Sequence, residues 1–133
     1  MVDLIGATPM IRLRRIPAEG GAEVLCKLES LNPGGSVKDR IAIAMVEEAE
    51  SSGALKPGDT IVEPTSGNTG VGLAMVAAVK DYRIVLTMPE DMSVERQRLF
   101  ERFGAELILT PAIEGMSGAV YAAEEMASQP GYF

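Results

Sequence analysis

The sequence predicts an α/β fold: an open, doubly wound parallel sheet with helices on both faces, in three layers α/β/α. Three observations carry this. Past residue 28, short β-rich runs alternate with helix-length runs. The connections between them are brief and rich in Gly and Pro. Of the 133 residues, 47% are hydrophobic, enough for one domain with a buried core. Strands separated by helices pair in parallel, and the crossover helices then cover the sheet on both sides.

Taken in order, Met10 to Leu13 and Val24 to Leu28 read as two strands. A helix is expected from Val37 to Glu50, closed by Gly53, with Ile41, Ala42, Met45, Val46 and Ala49 recurring at helical spacing on its inner face. Ser36 with Asp39 three places on resembles a capping box, with Asp in the usual Glu position. Thr60 to Glu63 is a strand, and after the turn Pro64 to Asn68 the small-apolar run Thr69 to Val79 suits a buried helix. Arg83 to Met88 is the next strand, and Ser93 to Phe103 a charged helix with Val94, Leu99 and Phe103 inward. Glu106 to Thr110 and then Met116 to Ala127 give a further strand and helix. At Pro130 to Phe133 the rhythm calls for another strand.

The formal charge of −7 disfavours nucleic acid and anionic membrane as partners, because a phosphate surface would be repelled. No apolar run approaches the roughly 20 residues that span a bilayer. The start MVDLIGATPMIRL lacks a basic segment leading into a long apolar stretch, so the expected compartment is the cytoplasm. The chain has no histidine and a single cysteine, Cys26. Histidine-dependent nucleophilic catalysis and zinc clusters are therefore not expected, and no metal ligands are assigned. Cys26 reads as a buried small hydrophobe. Any chemistry falls to a lysine, a carboxylate or a bound cofactor.

Two loops could supply it. Asn32-Pro33-Gly34-Gly35-Ser36-Val37-Lys38-Asp39-Arg40 puts Lys38 on the second position of a helix, where the positive end of the helix dipole disfavours a cation. With Arg40 nearby and burial behind a glycine-rich turn, the amine tends toward its neutral, nucleophilic form. An ordinary exposed lysine beside a helix start is the plainer alternative from the residues by themselves. Glu63-Pro64-Thr65-Ser66-Gly67-Asn68-Thr69-Gly70 leads straight into a helix. Its free N–H groups and the hydroxyls of Thr65, Ser66 and Thr69 would form an anion site, and a hydroxyl-capped turn is the plain alternative. Gly67, Gly70 and Gly72 have the wrong spacing for a dinucleotide fingerprint, and the Gly34 to Lys38 run is no nucleotide-triphosphate loop.

NPGGSVKDR followed by EPTSGNTG resembles the cysteine synthase (O-acetylserine sulfhydrylase) group of fold-type II pyridoxal-phosphate enzymes. TPMIRL at Thr8 to Leu13, LTMPEDMS at Leu86 to Ser93, FGAELILTP at Phe103 to Pro111 and EGMSGA at Glu114 to Ala119 resemble the same group in the same order. The resemblance implies pyridoxal 5'-phosphate as cofactor, bound by Lys38 as a Schiff base, with Lys38 also removing the substrate α-proton. It implies that Asn68 bonds the cofactor ring oxygen, and that Thr65, Ser66, Gly67, Asn68 and Thr69 hold the substrate carboxylate. The implied reaction is β-replacement, from O-acetylserine and sulfide to cysteine and acetate, in a homodimer. Cystathionine β-synthase, O-phosphoserine sulfhydrylase and a non-catalytic truncated paralogue are the alternatives. On this resemblance residues 1–133 are the amino-terminal cofactor-lysine domain, residues 84–127 its mobile subdomain, and a carboxy-terminal cofactor-phosphate domain is absent. Ala7 stands where the group often has asparagine.

Overall fold

The computed structural model describes residues 1–133. In chain order the elements are β1 (Met10–Arg12), β2 (Leu25–Lys27), α1 (Lys38–Ser52), β3 (Thr60–Pro64), α2 (Asn68–Lys80), β4 (Arg83–Pro89), α3 (Val94–Arg102), β5 (Glu106–Thr110) and α4 (Gly115–Ala127), with three short 3-10 turns. Every expected strand and helix up to Ala127 is present. No helix is long and apolar enough to cross a membrane.

β3, β4 and β5 form a parallel sheet in that order, with Val62 opposite Val85 and Val85 opposite Glu106. Where a strand was expected at the end of the chain, a single parallel bridge joins Tyr132 to Thr60 of β3. Thr60 N–H donates to the Gly131 carbonyl at 2.8 Å, Phe133 N–H to the Thr60 carbonyl at 2.9 Å, and Val62 N–H to the Phe133 carbonyl at 2.7 Å. Residues 131–133 thus pair on the edge of β3 that β4 leaves open.

Side chains alternate across β4. Ile84, Leu86 and Met88 enter a core with Ala42 and Val46 of α1, Val71 and Met75 of α2, and Phe100 of α3. Thr87 points to the other face, where its hydroxyl donates to the Ala119 carbonyl of α4 at 2.7 Å. The layers are therefore α1, α2 and α3 on one side and α4 on the other, as the doubly wound class requires. α2 is buried from Gly70 through Ala77, so its run of small apolar residues has no polar stripe. α1 and α2 run parallel. The Lys38 carbonyl and Ala42 abut Gly72 near their starts, and Lys80 pairs with Glu50 at 2.6 Å near their ends.

Two inner faces differ from expectation. In α1 Ala42, Val46 and Ala49 are buried as expected, but Ile41 and Met45 lie on the flank and are exposed, while Asp39 is fully buried. In α3 the buried residue is Phe100; Val94 and Leu99 are exposed and Phe103 is half-buried. Three apolar residues among so many charges define a helix face only loosely, and fit beneath α2 selects Phe100. β1 and β2 form a separate antiparallel pair with Ile11 opposite Cys26. Its Met10, Ile11 and Leu25 are exposed, and Cys26 is half-buried, because no second layer covers this ribbon.

Candidate active site

The loop before α1 is held by side chains at both ends. Asn32, 4% exposed, accepts from Gly6 N–H at 2.9 Å, and its amide donates to the Glu29 carbonyl at 2.9 Å and the Ser36 carbonyl at 3.0 Å. At the far end the Asp39 carboxylate accepts from Gly34 N–H at 2.5 Å. A Cβ on Gly34 would lie 2.5 Å from Asp39 Oδ1, so the turn closes only with glycine there. Asp39 Oδ1 has no hydrogen-bond partner, and burial pushes this carboxyl above the usual carboxylate range.

The capping box therefore takes another form. Ser36 Oγ accepts from Lys38 N–H, two residues on, at 3.1 Å, and Asp39 reaches back to Gly34 instead of to Ser36. Lys38 is the first residue of α1, not the second, and it is exposed rather than buried.

Arg40 is committed elsewhere. Its Nε donates to Glu29 Oε2 at 2.8 Å and its Nη2 to Glu29 Oε1 at 2.9 Å, a two-point pairing that offsets the cation Lys38 was expected to feel. Nη2 also donates to the Gly6 carbonyl at 2.6 Å, and the Thr8 hydroxyl donates to Glu29 Oε1 at 2.8 Å. The Arg40 hydrogen bonds, helped by those of Thr8 and Asn32, hold the Glu29 carboxyl down to about 2. This network ties the amino-terminal segment to the start of α1. Nothing in the sequence pattern announces it, since its members lie 11 to 34 residues apart.

The β3–α2 turn is organised by Thr65, 5% exposed. Its N–H donates to the Thr87 carbonyl of β4 at 3.0 Å, and its Oγ1 accepts from Gly67 N–H at 3.3 Å and Gly70 N–H at 3.2 Å. The Thr65 hydroxyl is thus a cap inside the turn, while Ser66 and Thr69 are half-buried and Asn68 is exposed. As the first residues of α2, Asn68 and Thr69 have N–H groups with no acceptor one turn back, and these remain for a ligand. Burial pushes the Glu63 carboxyl upward at the strand end.

Gly72 brings the two loops together. A Cβ there would lie 3.0 Å from the Lys38 carbonyl oxygen and 2.9 Å from Ala42 Cβ. The missing side chain lets the first turn of α1 rest on α2 one turn beyond Asn68. Two helix N-termini then open at the same end of the molecule, carrying Lys38 on one and Asn68 with Thr69 on the other. Their N–H groups and dipoles favour an anionic ligand between them. A lysine and an amide beside such a field suit an aldehyde cofactor with an oxygen substituent on its ring.

The family model for pyridoxal-phosphate dependent enzymes matches residues 1–133. The chain is 57% identical over 133 residues to a cysteine synthase of Staphylococcus aureus (strain Mu50), covering all of this chain and 43% of that protein. A cysteine synthase of a Flavobacterium species is 52% identical over 128 residues, 96% of this chain and 41% of its own length. The chain thus spans less than half the length of these relatives. Among solved structures, an O-ureido-L-serine synthase superposes with a TM-score of 0.94 at 51% identity, over 99% of this chain and 42% of the other. The cysteine synthase of Entamoeba histolytica does so with a TM-score of 0.92 at 43% identity, over 99% and 41%. In sequence along its whole length, and in the arrangement of sheet, helices and lysine loop, this chain belongs to the family of pyridoxal-phosphate dependent enzymes.

Proposed function

We propose that these residues form the lysine-bearing part of a cysteine synthase, a pyridoxal-phosphate enzyme that converts O-acetylserine and sulfide to cysteine and acetate by replacement at the β-carbon. The observation that carries the reading is the contact at Gly72, which sets Lys38 beside the Asn68 turn. When bound, pyridoxal phosphate supplies an electron sink for charge developing at the substrate α-carbon. Lys38 would hold the cofactor through its Nζ, and Asn68 would donate to the ring oxygen. Ser66 and Thr69, with Gly67 leaving the backbone open to approach and Thr65 setting the frame, would bind the substrate carboxylate together with the free N–H groups of α2. Once the substrate amine has displaced it from the cofactor, Lys38 Nζ would take the α-proton as acetate leaves and return it once sulfide has added to the β-carbon. Within this reading residues 1–133 are the cofactor-lysine domain and residues 84–127 a subdomain that closes over the substrate. The complete enzyme is a cytoplasmic homodimer.

The protein as encoded, mixed with pyridoxal phosphate, should show the visible absorption band of a lysine-bound cofactor. Lys38→Ala should remove that band and lower turnover by about 10³-fold. A band that persists in Lys38→Ala would overturn the assignment. The likeness to O-ureido-L-serine synthase supports a second reading, in which the same elimination is followed by an oxygen nucleophile. The likeness to an O-acetylserine dependent cystathionine beta-synthase of Helicobacter pylori, with a TM-score of 0.87, supports a thiol larger than sulfide. Product analysis with sulfide, homocysteine and hydroxyl nucleophiles in parallel separates the three.

A further inference from the structure

We propose that Arg96 of α3 is a positioning residue for the Thr65–Thr69 turn, and this rests on the reading of that turn as the substrate-carboxylate site. α3 reaches the turn at two points one helical turn apart on the same face. Phe100, fully buried, packs beneath Gly70, where a Cβ would lie 3.1 Å from the ring. One turn earlier the Arg96 guanidinium donates through Nη1 to the Ser66 carbonyl.

That carbonyl and the Gly67 N–H belong to one trans peptide unit, so they point in opposite directions. The N–H side faces the buried Thr65 hydroxyl, and the carbonyl side faces exposed Arg96. Rotated the other way, the unit would turn its carbonyl oxygen inward toward Thr65 Oγ1 and take the Gly67 N–H out of the turn. It would thereby deprive Thr65 of one donor. Arg96 holds the productive orientation by giving the carbonyl a charged partner on the outside. Phe100 fixes the distance between α3 and the turn, so the guanidinium is delivered to a set place. Arg96 touches neither substrate nor cofactor and acts only through the peptide it holds.

In the protein as encoded, Arg96→Ala should raise the dissociation constant for L-alanine, an amino acid with no leaving group, about tenfold by calorimetry. This is the worth of one charge-assisted hydrogen bond. KM for O-acetylserine should rise by a similar factor, while kcat changes less than twofold and the melting temperature stays within about 2 °C. Arg96→Lys, which retains a cationic donor, should recover most of the affinity. An L-alanine constant within twofold of the parent in Arg96→Ala overturns the proposal. So does a matching fall in kcat and thermal stability in both variants, since that is the mark of a general structural role. If the parent itself binds no L-alanine, the carboxylate reading of the turn fails and the role of Arg96 fails with it.

Discussion

Substituting Gly72 by alanine sets two effects of known size against each other. Alanine in a helix interior is favoured over glycine by about 1 kcal/mol. Against this, the new methyl would sit 2.9 Å from Ala42 Cβ and 3.0 Å from the Lys38 carbonyl oxygen, where carbon contacts prefer about 3.5–4.0 Å. Both neighbours are α1 backbone or its first side-chain atom, and neither can swing aside. α1 must therefore retreat by roughly half an ångström or more, an overpacking that costs about 1–3 kcal/mol. Strain exceeds propensity, and the net expectation is a loss of about 0–2 kcal/mol. At about 2.1 cal/mol/K per residue for a unit of this length, each kilocalorie is about 3–4 °C of melting temperature. Ala42→Gly removes one of the two collisions, so urea denaturation of both single variants and the double should give a favourable coupling of about 0.5–2 kcal/mol. The site should feel the same displacement. Cofactor binding at Lys38 should weaken in Gly72→Ala and recover in part in the double variant. Strict additivity within about 0.3 kcal/mol, with cofactor affinity unchanged throughout, would refute the claim that this glycine joins the two loops.

Thr65→Val keeps shape but strips the acceptor from Gly67 and Gly70 N–H, and should cost about 1–3 kcal/mol in urea denaturation and weaken amino-acid binding. Thr65→Ser should restore both, and a Val variant indistinguishable from the parent would remove the hydroxyl from the account. Glu29 sits lower in the folded state than in the unfolded chain, so its contribution is fully present above about pH 4.5 and is lost as pH falls toward about 2. Glu29→Gln should lower the urea midpoint at neutral pH and flatten its decline across that acid range; an unchanged slope would mean the pair with Arg40 is not what acid breaks.

Much of this architecture was legible because periodicity reports burial. The run Thr69 to Val79 has no polar face, and α2 is buried nearly all round. Glu106 to Thr110 matched β5 at both ends because Gly104 and Pro111 bracket it. The faces of α1 and α3 were less legible, since a helix that carries Ile41 or Leu99 outward differs from its mirror only by what it meets. In the site, the lysine loop and the hydroxyl turn stood out by composition. Their junction did not. It depends on one glycine whose role is to have no side chain, a property that becomes meaningful only when α1 lies against it. The Glu29–Arg40–Thr8 network was equally hidden, because polar partners in three separate segments leave no repeat along the chain.

The pairing of residues 131–133 with β3 has a geometric consequence for the whole molecule. From β3 the sheet grows through β4 to β5 in one direction, and the chain then crosses back by α4 to lay residues 131–133 on the opposite side of β3. Right-handed crossovers travelling in opposite directions put their helices on opposite faces, which accounts for α2 and α4 lying on either side. The connection that leaves the carboxyl end of β3 rises over one face to α2, while α4 returns over the other face to bring Gly131 beside Thr60 at the amino end of β3. Open α/β sheets take their ligands outside the carboxyl ends of their strands, at the point where the strand order reverses. The Thr65–Asn68 turn leaves β3 at its carboxyl end, on the strand from which the order runs both ways, so strand order puts that turn where such sheets take ligands.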